Sequence, residues 1–191
     1  MLSLRTLIGT TLAAAFLFSG ATVRAGEPSK RPAPKAAAKE KKMSDKPHVV
    51  IETNKGIIEM ELYPDQAPKT VAQFVSLVKE GFYDGLDFHR YEPNFVIQGG
   101  DPERKGKKDA PTIVGEFESN GHANTLSHKK GAVGLARTDV KDSGSSQFYI
   151  CTGDAQFLDK NYCAFGMVVS GRDVADSLRA KDEIKKATVK E

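Results

Sequence analysis

The chain has 191 residues, with 28 Lys or Arg, 25 Asp or Glu, four His, two Cys and no Trp. That is length for one domain and a tail, with too few cysteines for a disulfide scaffold or a four-thiolate zinc site. The net charge of +3 is unevenly placed: residues 1–25 carry two Arg and no acid, residues 26–47 carry seven Lys or Arg against three Asp or Glu, and residues 48–191 are net acidic, so the body lacks the basic face that nucleic-acid binding needs.

Residues 1–25 read as a secretory signal peptide. Arg5 supplies the positive start, residues 7–18 are uncharged and largely apolar, and Val23-Arg24-Ala25 puts short side chains three and one residues before a cut at Gly26. The apolar run is shorter than the roughly 20 residues of a membrane span, which favours export over an uncleaved anchor. Residues 26–47 are rich in Pro, Ala and Lys and hold no apolar set for a core, so they read as a disordered linker. Its like charges give at most a weak attraction to an anionic envelope. The expected location is periplasmic or secreted; a product started at Met43 would instead be cytoplasmic.

Residues 48–191 form the folded domain and read as mainly β. His48 to Thr53 is β-branched and apolar, Thr53-Asn54-Lys55-Gly56 is a turn, and Ile58, Met60 and Leu62 then alternate with Glu59 and Glu61. Tyr63-Pro64 ends that strand. Pro68 suits the first turn of a helix. Val71, Phe74, Val75 and Val78 make its apolar stripe, and Gly81 closes it. Short apolar runs follow at 95–98, 112–117, 132–136, 148–151 and 163–169, a spacing of a barrel or sandwich rather than of βαβ units. A second helix is expected from Asp173 as N-cap through Leu178. The charged last ten residues are expected to fray.

Nucleotide-cradling glycine motifs and G-x-S-x-G are absent. Ser145 and Ser146 have no evident base. The four histidines lack zinc-ligand spacing, so no metal is expected. Cys151 and Cys163 sit in apolar runs and read as buried thiols, with pairing after export left open.

Two stretches carry more. One is Phe88-His89-Arg90-Tyr91-Glu92-Pro93-Asn94-Phe95-Val96-Ile97-Gln98-Gly99-Gly100-Asp101-Pro102. The other is Gly131-Ala132-Val133-Gly134-Leu135-Ala136-Arg137-Thr138, followed by Ser145-Ser146-Gln147-Phe148-Tyr149-Ile150. With Phe157-Leu158-Asp159, Phe165-Gly166-Met167-Val168 and residues 67–74, they resemble the cyclophilin family of peptidyl-prolyl cis–trans isomerases over about 48–180. Arg137-Thr138 and the loop around Asp142 are similar to the bacterial branch, here an exported member.

The resemblance implies a closed eight-stranded antiparallel β-barrel capped by two α-helices, with a filled interior and substrate bound outside. It implies catalytic roles for Arg90 and for Gln98, which would hold the substrate backbone. Phe95 would floor a proline pocket, with Val96 in place of a family Met, Tyr149 in place of a Phe, and Leu158 on its wall. Ala136 and Arg137 would line the peptide track, Arg137 standing where many eukaryotic members have Asn, and Gln147 would support the groove. Phe157 replaces a Trp and Tyr162 a His. The loss of the indole N–H at Phe157 implies weak cyclosporin binding. His89 reads as a hydrogen-bonded structural histidine.

Rotation about an Xaa-Pro bond breaks no bond to carbon, so the reaction needs no nucleophile, metal or cofactor. Proline-containing polypeptides are the expected partners, and the absence of a heptad or an exposed apolar stripe predicts a monomer. Two other readings compete: a proline-segment-binding module or chaperone with incidental turnover, and an envelope-attached protein acting through its basic tail.

Overall fold

The computed structural model describes residues 46–190. The signal-peptide and linker readings, Lys46 and Pro47 apart, fall outside the described residues, as does Met43.

β1 (His48–Thr53) and β2 (Gly56–Leu62) form the expected hairpin, Thr53 facing Gly56. The Thr53 hydroxyl pins the turn, accepting the Lys55 N–H at 3.1 Å and donating to the Gly56 carbonyl at 2.8 Å. Alternation buries Ile58, Met60 and Leu62. α1 (Pro68–Lys79) buries Val71, Phe74, Leu77 and Val78. It ends in a Schellman turn: Gly81 takes φ 67°, its N–H reaches the Val78 carbonyl (3.1 Å), and the Phe82 N–H reaches that of Leu77 (3.0 Å).

The start of α1 is capped from far away in the chain. Ala67 precedes it and offers no side-chain bond. Instead the buried Glu116 carboxylate accepts the Lys69 N–H (3.0 Å), the Thr70 N–H (2.8 Å) and the Thr70 hydroxyl (2.8 Å). These N–H groups are the ones that an N-cap side chain ordinarily takes.

β3 (Phe88–Glu92), β4 (Val96–Gly99), β5 (Ala132–Leu135), β6 (Phe148–Cys151), β7 (Ala164–Ser170) and β8 (Ile184–Lys190) complete one antiparallel sheet. The order is β3-β4-β6-β5-β7-β2-β1-β8. The sheet is curled, but β3 and β8 do not pair as a ladder, which corrects the expectation of a fully closed barrel. They meet at one bridge, Asp87 with Glu183, and through short backbone bonds such as Phe88 N–H to Asp182 (2.8 Å) and Lys181 N–H to Phe88 (2.7 Å). Closure stops there because residues 179–182 turn, with Lys181 at φ 78°, before β8 begins. The Arg179 guanidinium lies over the Tyr91 ring at 4.3 Å instead of a further strand.

Three further expectations change. The end of the described chain is not frayed: β8 pairs with β1 from Ile184 to Lys190 and buries Ile184 and Ala187. A register shift at Glu52/Thr53 spaces those two residues by three, so the run of lysines shows no period of two. The run 112–117 is not a strand; Ile113 makes one bridge with Gly144, and the chain then turns so that Phe117 enters the core. α2 (Arg172–Ser177) is capped by Gly171 at φ 75°, with Asp173 inside the first turn and no side-chain cap. At Gly171 a Cβ would overlap the Ile57 carbonyl, so only glycine fits the turn from β7.

The core holds Phe74 against Tyr83, Phe148 and Phe165, with ring centroids 5.1–5.4 Å apart. A second, smaller cluster contains Val96, Ala132, Tyr149, Cys151 and Ala155. Alternation along β4 and β6 produces both clusters. Ile97, Phe148 and Ile150 point into the main core, while Val96, Tyr149 and Cys151 point to the opposite face. That second face carries the candidate site.

Candidate active site

A groove of about 320 Å³ lies on the outer face of β3, β4 and β6. Arg90, Phe95, Val96, Gln98, Ala136, Arg137, Tyr149, Phe157, Leu158 and Tyr162 line it. Every residue proposed from the sequence is among them except Gln147, which stands directly behind Gln98.

The polar side is set by strand register. Arg90 on β3 faces Gln98 on β4, and Gln98 faces Tyr149 on β6. An Arg90 Nη1 N–H donates to Gln98 Oε1 at 3.3 Å, and Gln98 Nε2 donates to Gln147 Oε1 at 3.0 Å. This chain fixes the orientation of the Gln98 amide. Arg90 is half-exposed, and its ion pair with Glu92, Nε to Oε1 at 3.5 Å, is also exposed. Its guanidinium stands 5.8 Å from the centre of the Phe95 ring.

The apolar side comes from three segments. Phe95 precedes β4; Phe157 and Leu158 belong to a 3-10 turn, Gln156–Leu158. Phe157 is 72% exposed and stacks on Phe95 at 5.3 Å between centroids. Tyr149 is the inner wall, and its ring is admitted only because Gly134 faces it on β5, where a Cβ would overlap the ring. Gly134→Ala is therefore expected to displace the Tyr149 ring, costing about 1–3 kcal/mol of stability as an overpacking change and raising KM for an Xaa-Pro peptide. A denaturant titration and steady-state kinetics on the same preparation check both; an unaltered KM would show that Tyr149 does not shape the pocket.

Arg137 is held by its own surroundings. Its Nη2 and Nε donate to the Asn161 carbonyl (2.8 and 3.3 Å), Nη1 donates to the Thr138 carbonyl (2.7 Å), and the guanidinium lies over the Tyr162 ring at 4.2 Å. It braces the end of the groove beside Ala136.

The histidine expectation needs correction. His89 Nδ1 is buried and has no hydrogen-bond partner among the described residues, and burial holds the ring below the ordinary imidazole range. The bonded structural histidine is His128, fully buried, with Nδ1 2.8 Å from Asp159 Oδ1 and Nε2 2.9 Å from the Tyr149 hydroxyl. Nothing in the sequence near His128 signals this contact, because its partners lie 31 and 21 residues away. Ser145 and Ser146 donate their hydroxyls to Asp109, both at under 3 Å (2.8 and 2.7 Å). Cys151 and Cys163 are free thiols, each pushed up to about 12 by burial. They belong to the outer and inner clusters, on opposite faces of the sheet, which answers the question of pairing. Among the described residues no group of three His, Cys, Asp or Glu is placed to hold a metal.

Residues 48–191 match the family model for cyclophilin type peptidyl-prolyl cis-trans isomerase/CLD. A peptidyl-prolyl cis-trans isomerase of Acinetobacter baylyi is 44% identical over 137 residues, 68% of this chain and 70% of that protein. Peptidyl-prolyl cis-trans isomerase B of Bacillus subtilis is 43% identical over 132 residues, 69% of this chain and 90% of that protein. The crystal structure of cyclophilin AquaCyp293 from Hirschia baltica superimposes with a TM-score of 0.67 at 28% identity, covering 74% of this chain and 73% of that one. A cyclophilin type isomerase of Cryptosporidium parvum, crystallised in the presence of the dipeptide Ala-Pro, gives a TM-score of 0.67 at 25% identity, covering 75% and 99%. By sequence, by strand order and by the residues that meet in its groove, this chain belongs to the cyclophilin-type peptidyl-prolyl cis–trans isomerases.

Proposed function

We propose that this isomerase acts on exported proteins, with Arg90 and Gln98 as its catalytic residues and the groove of Phe95, Val96, Tyr149 and Leu158 as its proline pocket. The observation that carries this reading is the register pair Arg90–Gln98 standing beside an aromatic-floored groove. The planar amide resists rotation with a barrier of about 18–20 kcal/mol, and the two Xaa-Pro isomers lie close in energy. A catalyst must therefore favour the twisted amide over both planar forms. As the amide twists, the prolyl nitrogen regains its lone pair and accepts a hydrogen bond. Arg90 offers a permanently charged fork of donors for that moment. Gln98, oriented by Gln147, holds the substrate backbone. The pocket grips the proline ring while the preceding carbonyl rotates. Ala136 and Arg137 flank the extended peptide, with Phe157 and Tyr162 at the rim.

The signal-like residues 1–25 support export to the periplasm or beyond, where slow prolyl exchange limits folding of many chains. The basic stretch 26–47 supports a weak attraction to the envelope, the acidic body argues against a nucleic-acid partner, and the lack of a heptad or an exposed apolar stripe in the sequence supports a monomer. N-terminal sequencing of the cellular product tests the location: Gly26 as first residue fits export, and Met43 as first residue overturns it. Catalysed exchange of a short Xaa-Pro peptide, measured beside refolding of a client with a slow prolyl phase, tests the function. A groove that binds the peptide without exceeding the uncatalysed rate would mark the proline-binding module instead.

Cyclosporin is expected to bind weakly, because Phe157 supplies aromatic area but lacks an indole N–H to donate. A calorimetric titration checks this, and a tight submicromolar complex would overturn it. The exposed stack of Phe157 on Phe95 is the contact such a ligand would disturb.

A further inference from the structure

The groove has one wall whose polar end is wired away from it. Asp159 is acceptor-only when ionised, and both its oxygens are occupied. Oδ1 accepts the His128 backbone N–H (2.7 Å) and lies 2.8 Å from His128 Nδ1, while Oδ2 accepts the Ser127 hydroxyl (2.8 Å). Nδ1 must therefore carry the imidazole proton. Nε2 is then bare and accepts the Tyr149 O–H at 2.9 Å. Among the described residues the Tyr149 hydroxyl has no other partner. The phenol thus presents its ring to the groove and keeps its proton on the far side.

We propose that Asp159 and His128 are positioning residues that hold the Tyr149 hydroxyl proton out of the proline pocket, and that protonation of His128 reverses this hydrogen bond and weakens substrate binding. The inference rests on the reading of Tyr149 as the wall of that pocket. In the imidazolium both ring nitrogens donate. Nε2–H then points at the Tyr149 oxygen, the phenol proton must leave that line, and among the described residues the hydroxyl has no second hydrogen-bond partner to receive it. A buried donor without a partner disfavours the state that holds it, and a proline ring packed against it disfavours it further.

The surroundings keep His128 neutral at neutral pH. Burial holds its ring below the ordinary imidazole range of 6.5, partly offset by Asp159. Burial pushes the Asp159 carboxyl up, but the bonds from the His128 backbone and ring and from Ser127 outweigh this and hold it below the usual carboxylate value. From β6, Tyr149 stacks on the ring with centroids 6.0 Å apart, and the titratable or charged groups acting on Tyr149 are Cys151, Cys163, Tyr162 and Arg137. Both thiols stay protonated, with values of about 12. Asp159 is thus the charged group acting on the ring directly.

The test uses the full chain and an Xaa-Pro peptide without ionisable side chains, with KM and kcat followed from about pH 8 down to about pH 5, the range in which imidazoles titrate. The parent is expected to show KM rising about tenfold over that range, with kcat changing less, as expected for loss of ground-state binding. Tyr149→Phe, which has no hydroxyl proton to turn inward, loses the acid rise relative to its own value at the upper pH. His128→Asn, which has no proton to gain, loses it as well; should that variant not fold, Tyr149→Phe alone decides. A rise that persists in Tyr149→Phe comes from another group, such as His89 beside Arg90, and overturns the proposal. A flat parent profile overturns it too. Phe95→Ala separates this failure from a misplaced pocket. If the pocket is elsewhere, Phe95→Ala keeps the parent KM; if only the relay is wrong, it raises KM while the acid rise in Tyr149→Phe remains.

Discussion

Arg90→Ala is expected to slow catalysed cis–trans exchange by one to two powers of ten in kcat, with little change in stability. The size follows from one charge-assisted hydrogen bond made in the transition state, worth roughly 1.5–3 kcal/mol, at about 1.36 kcal/mol per tenfold in rate. The fold should tolerate the change because Arg90 is half-exposed and its pair with Glu92, at 3.5 Å, is exposed as well. Such pairs contribute about 0–1 kcal/mol. Arg90→Lys should recover only part of the rate, since an ammonium keeps the charge but not the planar fork that reaches Gln98 and the substrate together. Exchange spectroscopy on an Xaa-Pro peptide reads the rate, and a thermal melt confirms that the variant is folded. A folded Arg90→Ala within about twofold of the parent rate, less than 0.5 kcal/mol of barrier, would remove Arg90 from the mechanism and leave the pocket alone to account for catalysis.

Glu116→Ala is expected to give the largest loss of stability of any polar substitution in the domain, about 3–5 kcal/mol. It strips three donors at the start of α1, the Lys69 N–H, the Thr70 N–H and the Thr70 hydroxyl, of their shared acceptor. Each buried donor left unpaired costs about 1–3 kcal/mol before any water enters. The helix start also loses a negative charge, worth about 0.3–1 kcal/mol. For a domain of this size that corresponds to a fall in melting temperature of about 10 °C. Glu116→Gln should lose about half as much, because its carbonyl can keep the two Thr70 bonds while its NH₂ group meets the Lys69 N–H. Melting curves of the two variants check the order. Equal and small losses would mean that water replaces the carboxylate and that the cap is not what holds the helix.

The contrast between Glu116 and the helix it caps shows where the sequence is legible. The stripe of α1, the Pro68 start and the Gly81 stop are local, and each follows from helical geometry within a dozen residues. So do the first hairpin and the runs that became β5, β6 and β7. β8 was hidden because an extra residue within it, Lys185, breaks the period of two and because lysines dominate its composition. β3 carries no apolar run and is visible only as part of a motif. The groove residues were all legible, but through the resemblance of ordered motifs, since Phe95 and Val96 read by periodicity alone would be ordinary core.

The sequence by itself determined the elements whose driving force is local: strand alternation, the helical stripe, the glycine stops, and the order of motifs that marks the family. Only the tertiary structure decided which partners those elements find. It set Arg90 opposite Gln98, gave α1 its cap from Glu116, left β3 and β8 without a ladder between them, and tied Tyr149 through His128 to Asp159. The physical reason is that a hydrogen bond or a packed ring depends on distance in space. A lone buried His, Glu or Gly shows no period or composition along the chain to reveal what it will touch.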